Sequence, residues 1–373
     1  MSALIETEHI TQIFGNPKKE HTVALDDFSF SISETVPSFT AIVGESGSGK
    51  TTLARIILGF QFPTIGTVRY CGTDIHKFSS QERQTFRREI QAVFQDPFEV
   101  YNPFYKVDHL LTVPIARFHL ATSRAETRDL METALRTVGL RPEETLGRYP
   151  HQLSGGQRQR ITVARALLLK PRLIVADEPV SMVDASLRAT ILESLDTLRR
   201  DFGISFLYIT HDLTTAYQVS DNIIVLYRGA VAETGDVEQV IKDPQHPYTQ
   251  LLVSSIPLPD PDRRWGEDVV AAGQSEVGEG EAGGCKFAGR CPYVMPMCRE
   301  SAPPLYRTST HRAVACYLYR DAAETLDGDI TQTFRAPTVV TTGGAQRHTG
   351  EPGHDRRLEG VVHDQEASHD TRA

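Results

Sequence analysis

Residues 42–59 read IVGESGSGKTTLARIILG: an apolar run, an abrupt glycine-rich stop, then apolar residues at helical spacing. No other stretch constrains the fold as tightly. TAIV (40–43) is short and β-branched, which suits a buried strand, and TLARIILGF (52–60) repeats its apolar residues as a helix does. Between them stands Gly44-Glu45-Ser46-Gly47-Ser48-Gly49-Lys50-Thr51, a full match to G-x-x-x-x-G-K-[ST] in the strand–loop–helix setting that gives the pattern meaning. Glycines let backbone N–H groups close on phosphate oxygens without Cβ clashes, and the start of the helix adds partial positive charge. Lys50 can reach the β- and γ-phosphates of a nucleoside triphosphate, and the Thr51 hydroxyl can ligate Mg²⁺.

Two further motifs narrow the chemistry. RLIVADEP (172–179) is an apolar strand ending in two carboxylates. Asp177 is placed to hold Mg²⁺ through water, and Glu178 to polarise an attacking water as general base. Two adjacent acids at the end of a buried strand cost desolvation, so packing alone does not account for them. LSGGQRQR (153–160) precedes the apolar helical run ITVARALLLK. There Ser154 and the N–H groups of Gly155 and Gly156 form a second anion-binding helix start.

With these motifs in one chain, the sequence resembles the nucleotide-binding subunits of ABC transporters. The resemblance implies an α/β P-loop cassette: a RecA-like core, an antiparallel β-subdomain and a helical subdomain. It also implies a head-to-tail dimer that sandwiches two ATP molecules, with Ser154, Gly155, Gly156 and Gln157 facing the γ-phosphate held by the partner. Residue by residue, Gln95 in VFQDPF matches the Q-loop, which senses Mg²⁺ and contacts the permease. Asp184 in SMVDAS matches the D-loop, His211 in LYITHDL the switch histidine at the γ-phosphate, and Phe14 in ITQIFG the aromatic that stacks on adenine. Gly44 through Thr52, with Asp177, complete the implied nucleotide contacts. SETVPSFT before the loop strand and SMVD in place of the commoner SALD depart from the family pattern, but no catalytic position is missing.

Between Gln95 and Leu153, YNPFYKVDHLLTVPIARF and RDLMETALRTVGL repeat apolar residues three and four apart and read as helices. By resemblance they belong to the helical subdomain (about 96–160), which docks a permease. The stretch DPQHPYTQLLVSSIPLPDP (243–261) resembles the peptide-type branch: importers of oligopeptides, dipeptides, nickel chelates and, in some members, oligosaccharides. Such systems imply a second ATPase subunit (as heterodimer or homodimer), two membrane permeases and, indirectly, a solute-binding protein. A soluble ABC ATPase of translation usually holds two cassettes, whereas this chain has one loop and one LSGGQ. A DNA-repair ATPase needs a long coiled coil between them, and no sustained heptads occur there.

Composition bounds the rest. The net charge of -9 is concentrated near the C-terminus: residues 260–284 carry seven acids against Arg263 and Arg264, and residues 321–373 carry ten acids against five arginines. The remainder is close to neutral and presents no basic field for nucleic acid. No apolar run is long enough to span a bilayer and no signal peptide is read, so the expected location is the cytoplasmic face of the membrane, held there by partners. The expected organisation is a cassette over 3–240, an extension over 241–261, a flexible acidic linker over 262–284, a small Cys-rich domain over 285–318 and a disordered tail over 319–373.

Cys71 stands alone in VRYCGTD and reads as an ordinary thiol, while Cys285, Cys291, Cys298 and Cys316 cluster. Four clustered thiols in a reducing compartment favour a metal or cluster over disulfides. Their spacing lacks the C-x₂-C knuckles common in zinc sites. The segment resembles the Cys-rich end of peptide-importer ATPases, some of which carry a [4Fe–4S] cluster. Cluster, zinc and unliganded thiols all stay open, and the segment is assigned no part in hydrolysis because a flexible linker precedes it.

Overall fold

The computed structural model describes residues 2–15, 21–95, 100–181, 183–256, 283–322, 324–326 and 328–335. Most of the predicted acidic linker, and the tail beyond 335, lie outside them.

Strands β1 (Ala3–Gly15), β2 (His21–Ser33), β4 (Ile65–Tyr70) and β5 (Thr73–Asp74) form an antiparallel sheet in the order β2-β1-β4-β5. The larger sheet has nine strands. Its parallel half is built from β3 (Phe39–Val43), β6 (Ile90–Val93), β7 (Leu173–Asp177), β8 (Ser205–Thr210) and β9 (Asn222–Tyr227), with β3 flanked by β8 and β9 and β7 lying between β8 and β6. These strands are continuous apolar runs because both faces are covered, as parallel sheets require. Alternation assigns each side chain its face. Phe39, Ala41, Val43, Ile174, Ala176, Phe206, Tyr208, Ile223 and Val225 enter one buried cluster with the helices Gly155–Leu167 and Ala185–Phe202. Ile42, Leu173, Val175, Leu207, Ile209, Ile224 and Leu226 enter another, with the helix Lys50–Ile57 and the antiparallel sheet.

The two predicted helical stretches are helices Asp108–Arg117 and Arg124–Thr137. The second is capped by Ser123, whose hydroxyl accepts the Glu126 N–H at 3.1 Å. Both bury apolar residues, Leu111 and Ile115 from the first and Leu135 from the second, in the cluster that holds Val183 and Leu192.

The C-terminal expectation needs correcting. The cysteine segment does not form a domain of its own. Strands β10 (Ala230–Asp236), β11 (Leu305–Ser309), β12 (Arg312–Val314) and β13 (Glu324–Leu326) extend the main sheet antiparallel beyond β9, in the order β13-β11-β12-β10-β9. Described structure also continues past residue 319, in β13 and the residues from 328 to 335. A short turn of helix, Ile330–Thr333, buries Ile330 beside Phe30 and Ile32, and Arg335 N–H donates to Asn222 Oδ1 at 2.8 Å.

Candidate functional site

Parallel pairing puts the carboxyl ends of β3, β6, β7 and β8 on one edge of the sheet, where α/β folds bind ligands. After β3 the loop turns sharply: Gly44, Gly47 and Gly49 all adopt positive φ. A Cβ on Gly44 would lie 2.2 Å from the Leu226 carbonyl oxygen, and one on Gly49 would lie 2.3 Å from that of Ala24. The loop is therefore pressed against neighbouring backbone on one side, and on the other it lines an open cavity of about 600 Å³. Ser46 to Thr52 line that cavity, joined by Gln95 from the end of β6, Glu178 from β7, His211 from β8 and Ala24 from β2. Its size suits a nucleotide.

Lys50 begins the helix and is buried. Its ammonium donates to the carbonyls of Gly44 (2.7 Å) and Glu45 (2.8 Å) and to Ser48 Oγ (3.3 Å). Burial pushes its pKa down, and the carboxylates of Glu178, Asp177 and Glu45 pull it back up. A buried cation held by loop carbonyls on the floor of a cavity is matched to an incoming polyanion. Burial pushes the Asp177 carboxyl up, opposed by the Thr51 hydroxyl bonded to it. Thr51 and Asp177, both hard oxygen donors, thus stand together as a Mg²⁺ site needs, with Gln95 on the same cavity.

Glu178 has φ 48, a left-handed conformation uncommon outside glycine, and its N–H donates to the Ile209 carbonyl at 2.8 Å. Its Oε1 accepts from His211 Nδ1 at 2.8 Å. The carboxylate is 16% exposed and the imidazole 61%, so the pair reaches from the sheet edge into the cavity. A strained acid oriented by a histidine beside a phosphate cradle is positioned to act on water.

The other predicted residues lie elsewhere in the monomer. Ser154 caps the helix Gly155–Leu167, accepting the Gln157 N–H at 3.2 Å while Gln157 Oε1 accepts the Ser154 N–H at 2.9 Å. This reciprocal box leaves the helix start facing solvent, outside the Lys50 cavity. A Cβ on Gly156 would meet Leu187 Cδ1 at 3.2 Å, so the glycine lies in close packing against the following helix. Asp184 precedes the helix Ala185–Phe202 and makes no side-chain cap bond. Phe14, opposite Thr22 near the end of β1, is 45% exposed and does not line the cavity. The four clustered cysteines line a single small cavity together with His246, Phe287 and Tyr317. Among the described residues, no group of three or more His, Cys, Asp or Glu is disposed to hold a metal ion.

Sequence reading missed two residues that touch the phosphate loop. Tyr248 Oη accepts the Glu45 N–H at 2.8 Å, and Arg290 pairs with the Glu45 carboxylate. HPYT had marked a branch of the family, and nothing in its local pattern pointed back to residue 45.

A phosphate loop with a buried lysine, paired acids on the next strand but one, a histidine after β8 and a glycine-rich helix start capped by Ser154 together define an ATP-binding cassette. The sequence comparisons agree. Residues 25–181 match the family described as ABC transporter, and residues 232–298 match that described as oligopeptide/dipeptide transporter, C-terminal region. The chain is 39% identical over 303 residues to the oligopeptide transport ATP-binding protein AppF of Bacillus subtilis, covering 79% of this chain and 89% of that one. It is also 39% identical over 276 residues to the oligopeptide transport ATP-binding protein OppF of Salmonella typhimurium, covering 74% and 82%. Among solved structures, the ATP-binding cassette MJ0796, in a dimeric post-hydrolysis state bound to ADP and Pi, matches with TM-score 0.56 and 30% identity over 62% of this chain and 98% of that one. The chain belongs to the ATP-binding subunits of oligopeptide/dipeptide ABC transporters and is an ATPase of that family. No helix among the described residues is long and apolar enough to cross a membrane.

Proposed function

We propose that this chain hydrolyses ATP to energise import of di- or oligopeptides, docked through its helical subdomain on the cytoplasmic face of two membrane permeases and paired with a second ATPase subunit. The observation that carries the reading is the convergence of Lys50, Thr51, Glu178, His211 and Gln95 on one cavity at the carboxyl edge of the sheet, with Asp177 bonded to the Thr51 hydroxyl. The similarity over residues 232–298 supports the peptide branch.

In the proposed cycle, the Lys50 ammonium exchanges its loop carbonyls for the β- and γ-phosphates of ATP. Thr51, Asp177 and Gln95 would hold Mg²⁺, which when bound supplies charge neutralisation between phosphate oxygens. Glu178 accepts a proton from the attacking water, and His211 Nδ1–H fixes the carboxylate that does so. Ser154, Gly155, Gly156 and Gln157 of each subunit close on the γ-phosphate held by the other, with Asp184 beside that junction. Phe14, on the exposed strand end, offers a stacking face for adenine. Phosphoryl transfer needs positioning and charge more than covalent help, and hydrolysis removes the bridge that closes the dimer.

Cys285, Cys291, Cys298 and Cys316 are proposed as ligands of a [4Fe–4S] cluster. Support comes from their sharing one small cavity. When bound, a cluster would supply four covalent ties across residues 285–316.

The test is Glu178→Gln in the assembled transporter. ATP affinity should stay within about twofold, while turnover at this site falls at least ~10²-fold, in line with loss of a general base. Undiminished turnover would remove Glu178 from that role, and no stimulation of the chain by permeases would favour a soluble function.

A further inference from the structure

Glu45 is the first variable residue of the phosphate loop, and each of its polar groups is held by a different part of the chain. Its N–H donates to Tyr248 Oη, and its carbonyl accepts from Lys50. Its carboxylate receives two N–H bonds from one guanidinium, Arg290 Nη1 to Oε2 at 2.9 Å and Nη2 to Oε1 at 3.1 Å. This is the fork-to-fork geometry in which arginine binds carboxylates best. The guanidinium is itself confined, with its carbon 5.6 Å from the Phe287 ring centroid and 5.9 Å from that of Tyr227. Phe287 packs in turn against Tyr227, Tyr248 and His246. Lys286, on the same turn of chain, pairs with Asp26 at 3.0 Å, near Ala24 on the loop's other flank.

An unpaired carboxylate at position 45 would stand beside the site that must accept a triphosphate. Its field reaches the Lys50 ammonium, the group that is to meet the phosphates. When Lys50 swings from the Glu45 carbonyl to the nucleotide, the loop loses one of its three ties there. Those from Tyr248 and Arg290 remain.

Resting on the nucleotide-site reading above, we propose that Arg290 is a positioning residue for ATP binding: it neutralises Glu45 and holds the phosphate loop in its binding form, so that the cysteine segment forms part of the nucleotide site's supporting wall. The segment thereby supports nucleotide binding while still taking no part in the hydrolytic step.

The experiment is equilibrium binding of a fluorescent ATP analogue with Mg²⁺ to the purified full-length chain. Arg290→Ala should weaken binding about fivefold, the size expected for a partly exposed but bidentate pair. Turnover at saturating ATP should stay within about twofold, because the residue does not touch the reacting atoms. The defect should shrink as KCl is raised, since screening weakens the repulsion from the bared carboxylate. In a Glu45→Gln background the same substitution should cost less than about twofold, because the charge to be neutralised is gone. Arg290→Lys, which keeps the charge and loses the fork, should fall between. Unchanged affinity in Arg290→Ala, or an equal loss in both backgrounds, would overturn the proposal. If Arg290→Ala does not fold, Arg290→Gln in the two backgrounds gives the same comparison. Lys50→Ala serves as control: normal binding there would overturn the nucleotide-site reading itself, whatever Arg290 does.

Discussion

Glu233 and His246 form a buried pair of opposite titration sense, and separating them tests how the C-terminal strands cover the cassette. Glu233 is fully buried in β10 and accepts the N–H groups of Gln245 and His246. Burial pushes its carboxyl from 4.5 up to about 7. His246 is also buried. Its Nδ1 accepts the Tyr248 N–H, its other nitrogen bonds the Ala315 carbonyl, and burial pushes it from 6.5 down to about 4. The signs oppose. The folded chain binds the Glu233 proton more tightly than the unfolded chain, so this group adds stability as pH falls from about 7 toward 4.5. The folded chain resists protonating His246, so that group removes stability as pH falls from 6.5 toward about 4. Between about pH 7.5 and about pH 5, linkage gives roughly 2 kcal/mol for each, in opposite directions. Wild type should therefore show little net slope from this pair. Glu233→Gln unmasks the histidine, and its melting temperature should fall relative to wild type by about 4 °C over that window, at ~2 °C per kcal/mol. His246→Asn keeps an acceptor for Tyr248 and unmasks the acid, so it should gain a similar amount. Comparing pH slopes rather than absolute midpoints removes each variant's constant cost. Thermal scans at matched ionic strength suffice. Parallel slopes for wild type and both variants would refute the argument.

Two other predictions concern glycines. Gly49→Ala places a Cβ 2.3 Å from the Ala24 carbonyl oxygen at φ 104; it should cut ATP affinity by at least ~10-fold, since a distorted loop loses charge-assisted bonds to phosphate, as nucleotide titration of the folded variant will read. Gly235→Ala places a Cβ 2.1 Å from the His311 carbonyl oxygen at the β10–β12 junction; it should expose the cysteine segment to limited proteolysis and weaken ATP binding as Arg290→Ala does, and unchanged cleavage would show that the junction yields without cost.

The nucleotide site was legible because its parts are local. A loop that needs three glycines, a strand that ends in Asp177-Glu178 and a strand followed by His211 each announce themselves within eight residues, and parallel pairing then brings them to one edge. Ser154 and Asp184 could be named, but neither lines the Lys50 cavity, so the fold of one chain does not bring them to the other motifs. Strands β11, β12 and β13 and the Arg290 contact were missed because their signals are short or distant. β12 and β13 have three residues each, too few for alternation to register. The Arg290–Glu45 pair joins positions 245 apart, beyond the reach of any pattern along the chain.

One physical requirement links these missed pieces. β10 pairs with β9 on one side, and without β12 its other side would be an open row of backbone donors and acceptors. Covering that edge with β12 and the helix Pro247–Ser254 seals Glu233 and His246 away from water, which is the origin of their displaced titrations. The same covering brings Tyr248 and Phe287 against Tyr227, at the end of β9. The turn after β9 braces the phosphate loop, with Gly229 N–H donating to the Ser48 carbonyl at 3.0 Å. A segment recruited to close a sheet edge therefore arrives beside the loop that holds ATP, where one arginine is enough to connect them.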